Sequence, residues 1–251
     1  MGIYKLSQTA REFVLFQRTG LLPQRPVSLI SRIIHKVPRF IGRIIRKIDS
    51  RYYTKWVKSI AADNNYDVET RYFSDMEKVA NRIALHLPPQ AKSILDIGCG
   101  IAALDIFLDK LTSPENIFLL DKTQIEDGVW YSFYDKGAFY NSLEIAKQTL
   151  ILNGVNASTV KLISAPNDGV IPLEPDSIDV IVSTISWGFH YPIKLYIESV
   201  NKLLRRDGVL IVDIRKNTDG FNELAKFFEV IVIHESTKFK TVKCAKRTKK
   251  L

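Results

Sequence analysis

Between residues 93 and 246 the chain alternates short runs of Val, Ile and Leu with stretches whose apolar residues recur every three or four positions. The runs at 93–97, 116–121, 160–165, 178–184 and 209–214 are apolar almost without interruption, as expected of strands covered on both faces. Two more β-rich runs follow at 229–234 and 240–246. Between the strands, Leu104, Phe107, Leu108 and Leu111 keep the spacing of one helix face. A second helix is predicted from Asn141, with Glu144 completing a capping box, to the stop at Asn153-Gly154. A third spans 192–205 and ends at Asp207-Gly208, and an upstream helix over 71–87 closes at Pro88-Pro89. Strands alternating with helices predict a parallel sheet with right-handed crossovers. The last two strands are too close in sequence for a helical crossover and should pair antiparallel. The expected fold is α/β: a seven-stranded, mostly parallel, doubly wound sheet with an antiparallel final strand.

Length and charge divide the chain. Its 251 residues allow one full-sized domain plus an appendage, and a hydrophobic share of 46% can supply a core. No apolar run approaches the roughly 18 residues of a spanning helix, and the N-terminus lacks a signal-peptide stretch. Cys99 and Cys244 form no disulfide framework, which suits a reducing compartment, and a cytoplasmic protein is expected. Residues 1–60 carry 13 Lys/Arg against 2 acids, residues 61–237 carry 16 against 25, and residues 238–251 carry 7 against none. An acidic body with two basic ends is not a uniformly basic nucleic-acid binder. Residues 1–60 read as a basic amphipathic helical appendage and 61–251 as the main domain. Within the appendage, Val27, Ile30, Ile34, Val37, Ile41 and Ile48 form a stripe, with Arg32, Lys36, Arg39, Arg43, Arg46 and Lys47 largely elsewhere. Pro38 and Gly42 would kink or split it. Such a segment at 27–48 suits four roles: peripheral contact with an anionic membrane at its inner face, docking on the domain, a grip on RNA, or an organellar presequence.

The first strand ends in Asp96-x-Gly98-x-Gly100 and hands over directly to a helix. Glycines without Cβ let the backbone approach a ligand closely, and the start of the helix offers unpaired N–H groups. A nucleotide-type cofactor suits this turn. Gly98-x-Gly100-x-x-Ala103 meets the loose dinucleotide fingerprint, with Asp121 about where a ribose would need it. Asp96 argues the other way, because a carboxylate beside the turn repels a pyrophosphate and attracts a cation. S-adenosylmethionine (SAM) carries a sulfonium and an ammonium.

Asp96-x-Gly98-x-Gly100 after a strand, then Asp121 closing the next strand, resembles the class I SAM-dependent methyltransferases over about residues 71–247. The resemblance implies that the glycine turn holds the methionine part of SAM. It implies further that Asp121 takes both ribose hydroxyls and that Asn167 or Asp168 meets the adenine. Ser183, delivered by the fourth strand to the same end of the sheet, is counted with these cofactor-side candidates. One departure is Ala102, where the family usually has a third glycine.

The same strand delivers Trp187, His190 and Tyr191. It lacks the Asn/Asp-Pro-Pro-Tyr tetrapeptide with which resembling enzymes methylate exocyclic amines of bases. His190 is a candidate general base for a hydroxyl acceptor, or a residue that positions the loop. Trp187 and Tyr191 are candidate pocket walls. The link over 122–140 is much longer than the 2–6 residues usual between a strand and its helix. Its aromatics, Trp130 and Tyr131 among them, would clamp a substrate or pack against the appendage. No histidine spacing suggests a metal site. The leading expectation is a SAM-dependent O-methyltransferase acting on a small molecule or a glycan, with a lipid-linked acceptor among the candidates. An RNA methyltransferase using the basic ends, and a catalytically silent methyltransferase-like binding protein, stand as alternatives.

Overall fold

Successive residues of β1 (Ser93–Ile97) enter different layers. Ile94 joins an apolar cluster on one face of the sheet, while Leu95 and Ile97 join another on the opposite face. That two-residue alternation runs through the neighbouring strands and explains their unbroken apolar sequences. Val180 and Val182 belong with Ile94, and Ile181 belongs with Leu95. The structure, a computed structural model, describes residues 4–23, 52–125 and 140–247. Trp130, Tyr131, the stripe over 27–48 and the end of the basic tail lie outside the described residues.

The sheet contains β1, β2 (Asn116–Asp121), β5 (Val160–Ser164), β6 (Ile178–Ser183), β8 (Leu204–Arg215), β9 (Phe228–Glu235) and β10 (Phe239–Lys246). Its order is β5-β2-β1-β6-β8-β10-β9. The pairs from β5 to β8 are parallel, and β10 runs antiparallel to both neighbours. Strand order reverses between β1 and β6, which places the topological switch point at the carboxyl ends of those two strands. A two-residue pairing of β3 (Gln124–Ile125) with β4 (Tyr140–Asn141) closes the base of the long link after β2. β7 (Ser186–Tyr191) continues from β6 and lies against β8.

One face of the sheet is covered by α3 (Val68–Ala84), α4 (Ala103–Thr112) and α5 (Leu143–Leu152), together with α1 (Gln8–Gln17) and α2 (residues 52–62). The other face carries β7, α6 (Ile197–Leu203) and α7 (Gly220–Phe227). The described parts of residues 1–60 share the first cluster. Phe13, Val14 and Leu15 of α1 and Val57 of α2 are buried in it. Buried Arg11 fastens α1 to the turn before α3, donating from Nη2 to the carbonyls of Asp63 at 2.9 Å and Tyr66 at 2.6 Å. Before α1, Lys5 and Asn153 exchange two bonds, Lys5 N to Asn153 Oδ1 at 2.8 Å and Asn153 Nδ2 to Lys5 O at 2.9 Å.

Three predicted helices shift. The one expected over 71–87 runs from Val68 to Ala84 as α3. α5 begins after Ser142, not at Asn141, because Asn141 is buried and pairs with Gln124 across β3–β4. The helix expected over 192–205 divides into a 3₁₀ turn at Ile193–Leu195 and the short α6. The chain is already extended from Leu204, where β8 begins and pairs with Ile178.

Candidate functional site

β1 stops where Gly98 turns out of the sheet, with its N–H still bonded to Leu120 O at 2.7 Å. Gly98 has φ +79°, and a Cβ there would lie 1.8 Å from Ser186 Oγ. The first glycine is therefore required by the protein's own packing, since the corner between β6 and β7 closes onto it. That corner is braced by Ser183, whose hydroxyl donates to Ile97 O at 2.7 Å and accepts from Trp187 N at 3.0 Å. Between them Ile185 takes φ +52°, a left-handed value that is a genuine outlier for a β-branched residue. Backbone strain of this kind gathers at functional sites, and here it sits at the switch point.

Gly100, at φ +58°, has open space on its Cβ side, the nearest group being Gln17 Oε1 at 3.7 Å. Its N–H donates to Asp121 Oδ2 at 2.9 Å, while Lys122 N donates to Asp121 Oδ1 at 2.7 Å. The carboxylate that ends β2 thus reaches across to the glycine turn that ends β1. Burial raises the Asp121 carboxyl, against the opposing pull of the two N–H donors and of the Asn141 side chain beside it. Ala102, where a third glycine was expected, takes φ +60°. That left-handed value favours glycine.

Asp96 lies on the face of β1 that carries Ile94, so its carboxyl enters the layer of α3 and α4 and meets Asp105 on the first turn of α4. Both residues are buried. Asp96 Oδ1 and both carboxyl oxygens of Asp105 receive no hydrogen bond from a donor among the described residues. Facing each other, the two carboxyls can share one proton. Burial pushes Asp96 well above the usual carboxylate range, with Asp105 adding to the effect, and burial lifts Asp105 to about 7. The negative charge beside the turn belongs to this pair and not to Asp96 alone. Tyr72 of α3 lies close by, and burial raises its hydroxyl while Arg18 opposes that shift. The Cys99 thiol within the turn is raised by burial and by Asp121, Asp96 and Asp105 around it.

On the far side of Asp121 the loop after β5 presents Asn167 and Asp168, both exposed. Lys122 Nζ donates to Asn167 Oδ1 at 3.3 Å, which ties this loop to the end of β2. Tyr191 is close enough to Asp121 for the carboxylate to help burial push its hydroxyl up to about 12. His190, the neighbouring residue on β7, belongs to a different group. Its ring stands edge-on to Phe189 at 4.8 Å, and Arg215 lies over the Phe189 ring at 5.5 Å. Burial, then Arg215, lowers the His190 imidazole. Trp187, expected as a pocket wall, is fully buried in the second cluster, with its Nε1 donating to Ile193 O at 3.1 Å. Such a ring presents no surface to a ligand. Ser183 is likewise fully buried and spends its hydroxyl on the backbone.

The geometry therefore brings Asp96, Gly98, Gly100 and Asp121 together, with Asn167, Asp168 and Tyr191 at the Asp121 end. Sequence patterning missed Asp105, Asn141, Ser186, Tyr72 and Arg18. Asp105 carried the clearest signal, as a carboxylate inside an apolar helical run, but an acid in a first turn is ordinarily explained by the helix dipole.

No protein-family model and no curated protein matches this sequence. Solved structures do. A protein of Pyrococcus horikoshii OT3 matches with a TM-score of 0.54 at 12% identity, over 70% of this chain and 91% of that one. Ribosomal protein L11 methylase from Lactobacillus delbrueckii subsp. bulgaricus matches with a TM-score of 0.50 at 17% identity, over 69% of this chain and 79% of that one. The chain has the class I, Rossmann-like methyltransferase fold.

Proposed function

We propose that the protein is a SAM-dependent methyltransferase acting on a hydroxyl of a small molecule or glycan. The observation that carries the donor assignment is the grouping of Asp121 and the Asp96–Asp105 pair around the Gly98–Gly100 turn. A pyrophosphate would face the Asp121 carboxylate and a carboxyl pair that shares one proton, and like charges at short range are costly. A sulfonium and an ammonium would complement them. The open side of Gly100 leaves room for such a donor beside the turn.

SAM would supply a methyl group on a sulfonium, transferred by in-line displacement to the acceptor oxygen. The chain's own residues do the rest. Asp121 has two carboxyl oxygens for the ribose hydroxyls, with Gly100 N–H and Lys122 N–H fixing its orientation. Asn167 or Asp168 meets the adenine. Class I sites bind ligands at the carboxyl ends of the strands, so β7 borders the acceptor. His190, held below its ordinary 6.5, is neutral at neutral pH and has a free nitrogen to take the hydroxyl proton. The expected result for His190→Ala is a fall in turnover of about 10²–10⁴-fold with the affinity for S-adenosylhomocysteine unchanged. Full activity would return His190 to a loop-positioning role. Support for the acceptor class comes from the missing amine-type tetrapeptide and from the aromatic residues around the site.

Incubation with methyl-labelled SAM and fractionated lipid, glycan, small-molecule and RNA pools tests the whole assignment. Label should enter a non-RNA pool. Label confined to RNA would overturn the acceptor class in favour of the basic ends as a phosphate grip. Retention of NAD without binding of S-adenosylhomocysteine would overturn the donor.

A further inference from the structure

β7 and the end of β8 build a second group of side chains, centred on Phe189. Arg215, the last residue of β8, places its guanidinium 5.5 Å from the centre of the Phe189 ring, and the His190 ring meets the same phenyl edge-on at 4.8 Å. Phe239, paired with Arg215 across β8 and β10, stands edge-on to Phe189 at 6.2 Å, and His234 lies 6.2 Å from Phe239. Arg215 and His190 are exposed, while the two phenyl rings are half-buried. Asp213 fixes the base of this patch. It accepts from the Thr241 hydroxyl of β10 at 2.6 Å and from Ile185 N, at the strained corner between β6 and β7, at 3.2 Å.

Arg215 is the cation that touches these rings, and no carboxylate pairs with it among the described residues. Its neighbour Lys216 pairs with Glu235 at 2.6 Å, Lys240 also lies close to Glu235, and Lys194 pairs with Glu223 at 3.5 Å. The free positive charge against the rings is therefore a single guanidinium, not the row of cations that a nucleic-acid backbone calls for. Contact with a phenyl face consumes none of its N–H donors. A guanidinium so placed can grip a carboxylate or a phosphate with two parallel N–H groups, which fixes direction as well as position. Phe189 touches both Arg215 and His190, so it sets the spacing between a bound anion and the imidazole.

We infer that the methyl acceptor carries an oxyanion, a carboxylate or a phosphate, which Arg215 binds while the acceptor's hydroxyl meets His190. Phe189 and Phe239 offer their apolar surface to the carbon skeleton between the two groups. The inference rests on the proposed acceptor site and narrows it, from any hydroxyl compound to an acidic one. The anion takes no part in the transfer: the methyl passes from sulfur to the acceptor oxygen, and the hydroxyl proton passes to His190.

Two measurements test this, one of them independent of methyl transfer. Inorganic phosphate added to the full chain at constant pH and ionic strength should shift the His190 ring signal saturably in NMR spectra. The signal of His86, on the turn after α3, should stay in place. Arg215→Ala should weaken phosphate binding by about tenfold to a hundredfold, with Arg215→Lys between. No saturable shift in the wild type overturns the inference, and so does an unchanged response in Arg215→Ala. If Arg215→Ala does not fold, Arg215→Gln carries the same expectation. In the second measurement, the product labelled from methyl-SAM should be retained by an anion exchanger. Loss of retention after phosphatase treatment identifies a phosphate, and unchanged retention identifies a carboxylate. Label in neutral products alone overturns the acidic acceptor, and label confined to RNA overturns it in favour of a polyanion. Failure to bind S-adenosylhomocysteine, or absence of label from every pool, overturns the methyl-transfer reading instead, and the phosphate titration still decides the role of Arg215.

Discussion

Asp121 does two things with one carboxylate. It anchors the Gly100 N–H and stands where a ribose would be read, so its removal should be felt in ligand affinity. Asp121→Ala is expected to weaken S-adenosylhomocysteine by about 1.5–3 kcal/mol, the worth of one hydrogen bond to a charged group; an unchanged affinity in calorimetry would remove Asp121 from the site. Asp105 makes a different prediction, about stability. Its carboxyl ordinarily titrates at 3.8 and does so at about 7 in the folded protein. Between those values the folded state holds a proton that the unfolded chain has released, so this group's contribution shrinks as pH rises. Asp105→Asn cannot ionise. Its melting temperature should therefore gain on that of the wild type as pH is raised from about 4 to about 7, and level off above. A constant difference across that range would show that Asp105 titrates normally. Asp96, Gly98, Gly100 and Asp121 were legible in the sequence because a backbone turn and a strand end leave local marks. Asp105, Arg18 and Tyr72 were not, because their meeting depends on how α1, α3 and α4 pack around β1. Trp187 was misassigned for a related reason: an aromatic residue beside a candidate histidine does not reveal which face of the chain it joins.

Elements covered on two sides were read most reliably. β1 and β2 were expected at the residues where they occur, since strands buried on both faces exclude polar residues throughout. β8 is longer than its apolar run, because residues 204–208, with the exposed polar Arg205, Arg206 and Asp207, precede that run in the strand. β7 escaped notice, as its burial does not alternate cleanly. α1 also went unassigned, although Ser7 caps it by accepting from Ala10 N at 3.2 Å, and Ala10, Phe13 and Val14 keep helical spacing. That spacing is short and lies in a segment whose 13 Lys/Arg among 60 residues dominate its pattern. Because α1 lies in the same cluster as the sheet, its apolar residues should behave as core. Leu15→Ala, at a position with no exposed surface, is expected to cost about 2–5 kcal/mol in urea unfolding. A loss below about 0.5 kcal/mol, the level of ordinary surface substitutions, would mean that α1 is an attachment to a domain stable without it.

At the level of the molecule, the acidic middle and basic ends of the sequence acquire a partial explanation. Three of the acids gather at the switch point, and Lys246 folds back to pair with Asp176 at 2.7 Å. Among the described residues no helix is long and apolar enough to cross a membrane. The sheet order has a consequence for how the protein is made. β8 and β9 are consecutive strands, yet they are not neighbours, because β10 lies between them and pairs with both. Until the ribosome has released β10, each of those strands presents a bare row of amides and carbonyls, an invitation to foreign chains. A chain stopped after residue 238 should accordingly reach the ribosome-free fraction as aggregate, while the full chain is recovered dispersed. Recovery of the shortened chain as a folded monomer would show that the gap can stay open. The protein's final shape is thus withheld until one late eight-residue strand arrives to join its two neighbours.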